Sequence, residues 1–254
     1  TTSNGQGAWG ADHAAPSRIA TAGDWIIIGC HTVEGGSGIY GIAPDGLKKW
    51  GEKRGVFVLA ADAEYVYAIV HSWYVSGALC RFDKATGASC PFVLDGKPRP
   101  FELVMTDIFG TPLPASKDKP AWSPFGKESE APISAMAVHD QRLILAREDG
   151  KLFILNAASA APEGSFDVTD LSALAFSAQG ALYAVQKGKL IAIDLTSGNV
   201  TPIAAEGLSQ AVGLAVDSSG NLVTADLGPD CQVKAFTPAG KPAYTCGRKG
   251  GRAL

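Results

Sequence analysis

Residues 211–251 read AVGLAVDSSGNLVTADLGPDCQVKAFTPAGKPAYTCGRKGG. This stretch predicts four short strands and three turns. Leu214–Asp217 is apolar and closes on the turn Ser218-Ser219-Gly220-Asn221. Leu222–Asp226 follows, then a Gly/Pro/Asp loop. Gln232–Phe236 alternates with period two, as a half-buried strand does. Pro238-Ala239-Gly240 turns the chain back, and Ala243–Cys246 completes the unit. One such sheet cannot bury both faces alone, so it requires neighbouring copies of itself.

The chain supplies them. An alanine in the first strand of the unit recurs at positions 20, 60, 137, 175 and 215. The steps are 40, 77, 38 and 40, so the long step holds either a further unit or an insertion. The second half of the unit repeats as well. Gly38–Gly46 aligns with Ala78–Gly87, and Lys151–Asn156 aligns with Lys189–Gly198. Each copy is a strand, then Asp or Asn, then a turn; Gly closes the turn in the copies at 38–46, 78–87 and 189–198. The short polar side chain bonds the turn backbone and Gly supplies a positive φ. A period near 40 with four strands per unit is the signature of a propeller blade. The expectation is an all-β chain, a β-propeller of five or six four-stranded blades in one domain spanning residues 1–254. The blades fall near 7–53, 54–93, 133–168, 169–208 and 209–251.

The repeats resemble the NHL and quinoprotein-like propeller families. Residues 213–226 with 232–242 are the best NHL match, and residues 181–198 resemble the quinoprotein type. The resemblance speaks to fold and leaves function open. Residues 94–132 interrupt it and hold seven of the 15 prolines. They read either as an excursion from the second blade or as a degenerate blade whose remaining strand is Phe101–Met105. Cys246–Arg252 resembles the exit from one NHL unit toward another, so a piece of a longer chain with additional domains also fits.

Composition narrows the classes. Hydrophobic residues make up 46% of 254, with 30 glycines, which suits short strands and tight turns. Lys and Arg number 22 against 25 Asp and Glu, a net charge of −3 with no long run of one sign, and nothing in it suggests the basic face of a nucleic-acid binder. No apolar run approaches the ~18 residues of a membrane span. The start, Thr1–Gly5, lacks the basic and then apolar pattern of a leader; a removed leader is compatible with it. Cys80 and Cys90 flank one hairpin, and Cys231 and Cys246 flank another. Folding each hairpin about its turn predicts two disulfides and hence a secreted, periplasmic or cell-surface location. Reduced, buried thiols are the other reading. Cys30 reads as a small buried hydrophobe.

The propeller resemblance implies a binding face formed by the loop leading into each blade and the loop between its second and third strands. The lead-in loops offer Asp12, His13, Arg54 and Gln210. The middle loops offer His31, Glu34, His71, Trp73, Tyr74, Arg147, Glu148, Gln186, Lys187, Asp226 and Asp230. Asp12, Arg54, Trp73, Tyr74, Arg147, Glu148 and Asp226 are the expected ligand-binding set. Trp73 and Tyr74 suit stacking on a sugar or anchoring a protein. His13, His31 and His71 could hold Zn or Cu. Asp12, Glu34, Glu148, Asp226 and Asp230 could bind Ca²⁺ or form a glycoside-cleaving pair. Loop histidines bonded to backbone and solvated carboxylates explain the same residues, and no cofactor is firmly implied. Nucleophile-elbow, P-loop and dinucleotide motifs are absent from the sequence. The expected function is therefore an extracellular scaffold binding a carbohydrate or protein partner. Its rival is a metal-dependent lyase or hydrolase acting on a sugar-like substrate.

Overall fold

A computed structural model describes residues 16–30, 38–52, 55–71, 76–103, 108–109 and 133–251. They fold as five consecutive blades of a β-propeller. The first sheet comprises β1 (Pro16–Ala22), β2 (Trp25–Cys30), β3 (Gly38–Ile42) and β4 (Lys48–Glu52). The second holds β5 (Gly55–Ala61), β6 (Tyr65–His71) and β7 (Ser76–Asp83), followed by the small ribbon β8 (Val93–Leu94) and β9 (Lys97–Pro98). The third is β10 (Ile133–His139), β11 (Arg142–Arg147), β12 (Lys151–Asn156) and β13 (Pro162–Asp167). The fourth is β14 (Leu171–Phe176), β15 (Leu182–Gln186), β16 (Lys189–Ile193) and β17 (Val200–Pro202). The fifth is β18 (Ala215–Val216), β19 (Leu222–Asp226), β20 (Gln232–Phe236) and β21 (Pro242–Cys246). Strand order within each sheet follows the sequence, and neighbouring strands pair antiparallel.

The second blade departs from the four-strand rule in an informative way. Its fourth edge is made piecemeal. Phe82 bridges Ser89, and Leu79 and Leu103 exchange backbone bonds of 2.8 and 3.0 Å. Residues 94–103, the start of the proline-rich interruption, are thus tied to this blade. Pro98 sits at the edge of a two-residue strand, where a missing N–H breaks no ladder.

The strand–Asp–turn motif behaves as its chemistry requires. Asp83 Oδ1 accepts from the backbone N–H of Ala85 and Thr86, and Gly87 N–H closes onto Asp83 C=O. Asn156 and Asp194 do the same in the third and fourth blades. Gly87 and Gly198 both take a φ of about +70° there, which L side chains rarely adopt.

The chain packs as two compact units. Residues 1–133, 140–143 and 154–163 form one; residues 134–139, 144–153 and 164–254 form the other. In the first unit, each blade has a leading face toward the next blade and a trailing face toward the one before. Ala22, Ile27, Ile39 and Trp50 on the leading face of the first blade pack on Leu59, Val66, Ala68, Cys80 and Phe82 on the trailing face of the second. Trp50 also donates its indole N–H to Lys84 C=O at 2.7 Å. Arg81 faces the other way, buried between Tyr65 and Phe92 with ring centroids 4.6 and 4.8 Å from its guanidinium carbon. It donates to the carbonyls of Pro91 (2.8 Å) and Ala157 (3.1 Å).

In the second unit, Tyr183, Val185 and Leu190 on the leading face of the fourth blade pack on Leu222, Phe236 and Ala211 of the fifth. The register pairs that build these rows are Val185 with Leu190 and Leu222 with Phe236.

Candidate functional site

Within the second unit, the segment leading into each blade lies on the middle turn of the blade before. Val168 N–H donates to Gly150 C=O at 2.8 Å, and Ala211 N–H donates to Gly188 C=O at 2.9 Å. Gly150 has a φ of +94°, and a Cβ there would meet Thr169 Cγ2 at 2.7 Å. Lead-in and middle loops therefore share one end of the sheets, as the family resemblance implied. Further bonds hold the same layer. Gln186 Nε2 donates to Thr169 C=O at 2.9 Å, and Lys187 Nζ sits 3.2 Å from Asp170 Oδ2.

Arg147 ends β11 in this layer and is 4% exposed. The register of the turn, Arg147-Glu148-Asp149-Gly150, brings Asp149 back onto it. Nε donates to Asp149 Oδ1 at 2.6 Å, and Nη2 donates to Asp149 Oδ2, making a bidentate pair. The guanidinium carbon lies 5.3 Å from the centroid of Phe153. Nη1 is buried and has no hydrogen-bond partner; it is the only such side-chain atom among the described residues. A buried donor left unmade costs about 1–3 kcal/mol, more when the group is charged. Such exceptions concentrate at functional sites.

Asp226, at the matching end of β19, is built differently. Its Oδ1 accepts from Gln210 N–H (2.7 Å) and Gly228 N–H (3.0 Å). Its Oδ2 accepts from Ser209 N–H (3.3 Å) and Lys234 Nζ (2.7 Å). Burial works against its charge, but the Lys234 ammonium and the three N–H groups outweigh it. They hold the carboxyl well below the usual carboxylate range. Lys234 also meets Asp230 Oδ2 at 2.9 Å and Gly207 C=O at 2.6 Å, and its two carboxylate partners raise its pKa. Asp226 and Asp230 are therefore brought together by a lysine that the sequence reading did not single out. Every strong acceptor direction of Asp226 is engaged internally.

The other expected residues fall as follows. Glu148 is exposed beside Arg147. Asp12, His13, His31, Glu34, Arg54, Trp73 and Tyr74 lie outside the described residues, as does the His71 side chain. Among the described residues, no group of three His, Cys, Asp or Glu side chains is placed to hold a metal ion. Asp149, the partner of Arg147, was missed by the sequence reading. The signal was present: an acidic residue two positions after an Arg, next to a turn glycine.

The two expected disulfides are corrected by the register. All five cysteines are free thiols. Phe82 bridges Ser89 and Cys90 N–H donates to Arg81 C=O, so Cys90 lies opposite Arg81. Cys80 is the residue before Arg81 in β7, and its side chain points to the other face, inside the packing between the first two blades. In the fifth blade Cys246 pairs with Val233, two residues away from Cys231. The argument from paired cysteines to an oxidising compartment falls with them.

Comparison with known proteins agrees with the fold. No family profile matches the chain, and no curated protein matches it. Solved structures do. A protein of unknown function from Bacteroides caccae aligns with a TM-score of 0.58 at 12% identity, over 93% of this chain and 82% of that one. Virginiamycin B lyase from Staphylococcus aureus aligns at 0.51 and 13%, over 90% of this chain and 68% of that one. The computationally designed Ika8 protein aligns at 0.51 and 15%, over 94% of this chain and 62% of that one. The chain thus spans about three fifths of the designed protein's length. At these identities the likeness is one of fold, and the lyase activity belongs to the staphylococcal enzyme.

Proposed function

We propose that this propeller is a binding scaffold whose loop-bearing face takes a carbohydrate or a protein partner. The observation that carries the reading is the unpartnered Nη1 of Arg147, at the end of the sheets where lead-in and middle loops meet. An oxygen acceptor on a ligand, a carboxylate above all, would complete the guanidinium that Asp149 holds on its other edge. Asp149 fixes the fork in advance, so little side-chain entropy is lost on binding. Trp73 and Tyr74, which lie outside the described residues, are proposed as binding aromatics on their own loop of the second blade. The NHL and quinoprotein-like character of the repeats belongs to this reading as well. The metal-dependent rival rests on His13, His31 and His71, and no observation favours it.

The test is a glycan array of neutral and uronate-bearing oligosaccharides, probed with wild type and with Arg147→Gln. Binding to uronates by wild type, lost in the variant, is the expected result. Equal signals from both proteins would remove Arg147 from the site. An array blank for wild type would end the carbohydrate form of the proposal.

A further inference from the structure

In an Asp-Gly pair the aspartate carboxyl carbon and the next backbone nitrogen can meet readily, because glycine has no Cβ to obstruct the approach. The sequence holds Asp45-Gly46, Asp95-Gly96 and Asp149-Gly150. The fold restrains two of these pairs. Asp45 accepts from Leu47 N–H at 2.9 Å and from Lys49 Nζ at 2.6 Å, and Gly46 N–H donates to Ala43 C=O at 2.9 Å. Asp149 is held through both oxygens by Arg147, and Gly150 N–H donates to Arg147 C=O at 3.0 Å. Asp95-Gly96 is left free. It is the two-residue turn between β8 and β9, with φ values of +50° and +74°, both positive as a type I′ turn requires. Both residues are exposed, and nothing lies within 4 Å of where a Gly96 Cβ would stand. Among the described residues, neither the Asp95 carboxylate nor the Gly96 N–H has a hydrogen-bond partner.

We propose that Asp95 is a site of covalent modification, converting to isoaspartate while Asp45 and Asp149 are protected. Gly96 N attacks Asp95 Cγ. The N–C bond forms, a carboxyl oxygen leaves as water with the amide proton, and a five-membered succinimide results. Solvent water then adds to the former main-chain carbonyl carbon of Asp95 and breaks its bond to Gly96 N. One water has left and one has entered, so the product is an isomer. Its chain runs through Cγ, and its free carboxylate is the α one. The attack needs a carboxyl and an amide released from other partners, so local opening must precede it at Asp45 and Asp149. The product carries an extra main-chain methylene in a turn whose strands are joined only by the pairs Val93 with Pro98 and Leu94 with Lys97. The change loosens the ribbon. It also presents the group that an S-adenosylmethionine-dependent isoaspartyl carboxyl methyltransferase accepts.

The experiment ages the folded protein for weeks at neutral pH and body temperature, then digests it. Electron-transfer fragmentation locates isoaspartate, and methyl transfer from S-adenosylmethionine by the methyltransferase counts it. Asn4-Gly5, outside the described residues, is read on its own peptide. Isoaspartate is expected at Asp95, about tenfold above Asp45 and Asp149, because hydrogen bonds to charged groups must open first at those two. Protein aged in guanidinium chloride should react at the three pairs alike. Arg147→Gln, with folding checked by thermal melting, should raise isoaspartate at Asp149 and leave Asp95 unchanged. Lys49→Gln, at an exposed ion pair, should do the same for Asp45. Equal isoaspartate at the three pairs of the folded protein overturns the inference. So does an Asp95 that stays intact while the guanidinium sample reacts.

Discussion

Lys234 Nζ lies 2.7 Å from Asp226 Oδ2, with the lysine side chain 8% exposed and the aspartate fully buried. The pair sits on the trailing face of the fifth blade, in the row that includes Phe236. Removing one partner of a buried pair leaves the other charge uncompensated, at about 3–5 kcal/mol. Asp226→Ala should lower the urea midpoint accordingly. The carboxyl is held below its unfolded value near 3.9. Its contribution is therefore complete above about pH 4 and is lost as pH falls through the folded value. A urea titration from pH 7 to pH 2.5 should show a shallower acid decline for Asp226→Ala than for wild type. Parallel declines would assign the acid sensitivity to other carboxylates.

Arg81 holds carbonyls of residues 90–91 and 157–158 at once. A lysine keeps the charge and loses the fork that spans these acceptors. Arg81→Lys should cost about 2 kcal/mol, read from the urea midpoint. A variant as stable as wild type would mean that the stacking of Tyr65 and Phe92, and not the hydrogen bonds, fixes residues 88–103.

The thiols offer a check on the registers. Cys231 and Cys246 are exposed, Cys90 is half-buried, and Cys30 and Cys80 are buried. Burial also raises the pKa of Cys30, which lowers its thiolate fraction further. Iodoacetamide on the native protein should label Cys231 and Cys246 first, and Cys30 and Cys80 only after denaturation. A linked Cys231–Cys246 peptide in a non-reduced digest would contradict the Val233–Cys246 register.

The blade repeat was legible because it rests on local chemistry. Leu222–Asp226 and Gln232–Phe236 are strands where alternation and turn residues said so. Asp83 and Asp194 cap their turns where the spacing to Gly87 and Gly198 predicted it. Facing direction was less legible. In Gln232-Val233-Lys234-Ala235-Phe236 the charged Lys234 is buried and the apolar Val233 is exposed. Alternation fixes that two rows exist and cannot say which one has Asp226 and Asp230 waiting for an ammonium. The cysteines failed for a related reason. A shift of one or two residues in register separates sulfurs that the sequence places opposite each other.

The bonds from Val168 to Gly150 and from Ala211 to Gly188 bear on how such proteins can be recombined. The repeat in the sequence begins at the innermost strand, but the staple joins that strand's lead-in to the preceding blade. A blade excised at its strand boundaries loses the donor for one turn and leaves another carbonyl bare. Cassettes for grafting, deletion or duplication should therefore be cut on the N-terminal side of Gly150 and of Gly188, so that Gly150 stays with Val168 and Gly188 with Ala211.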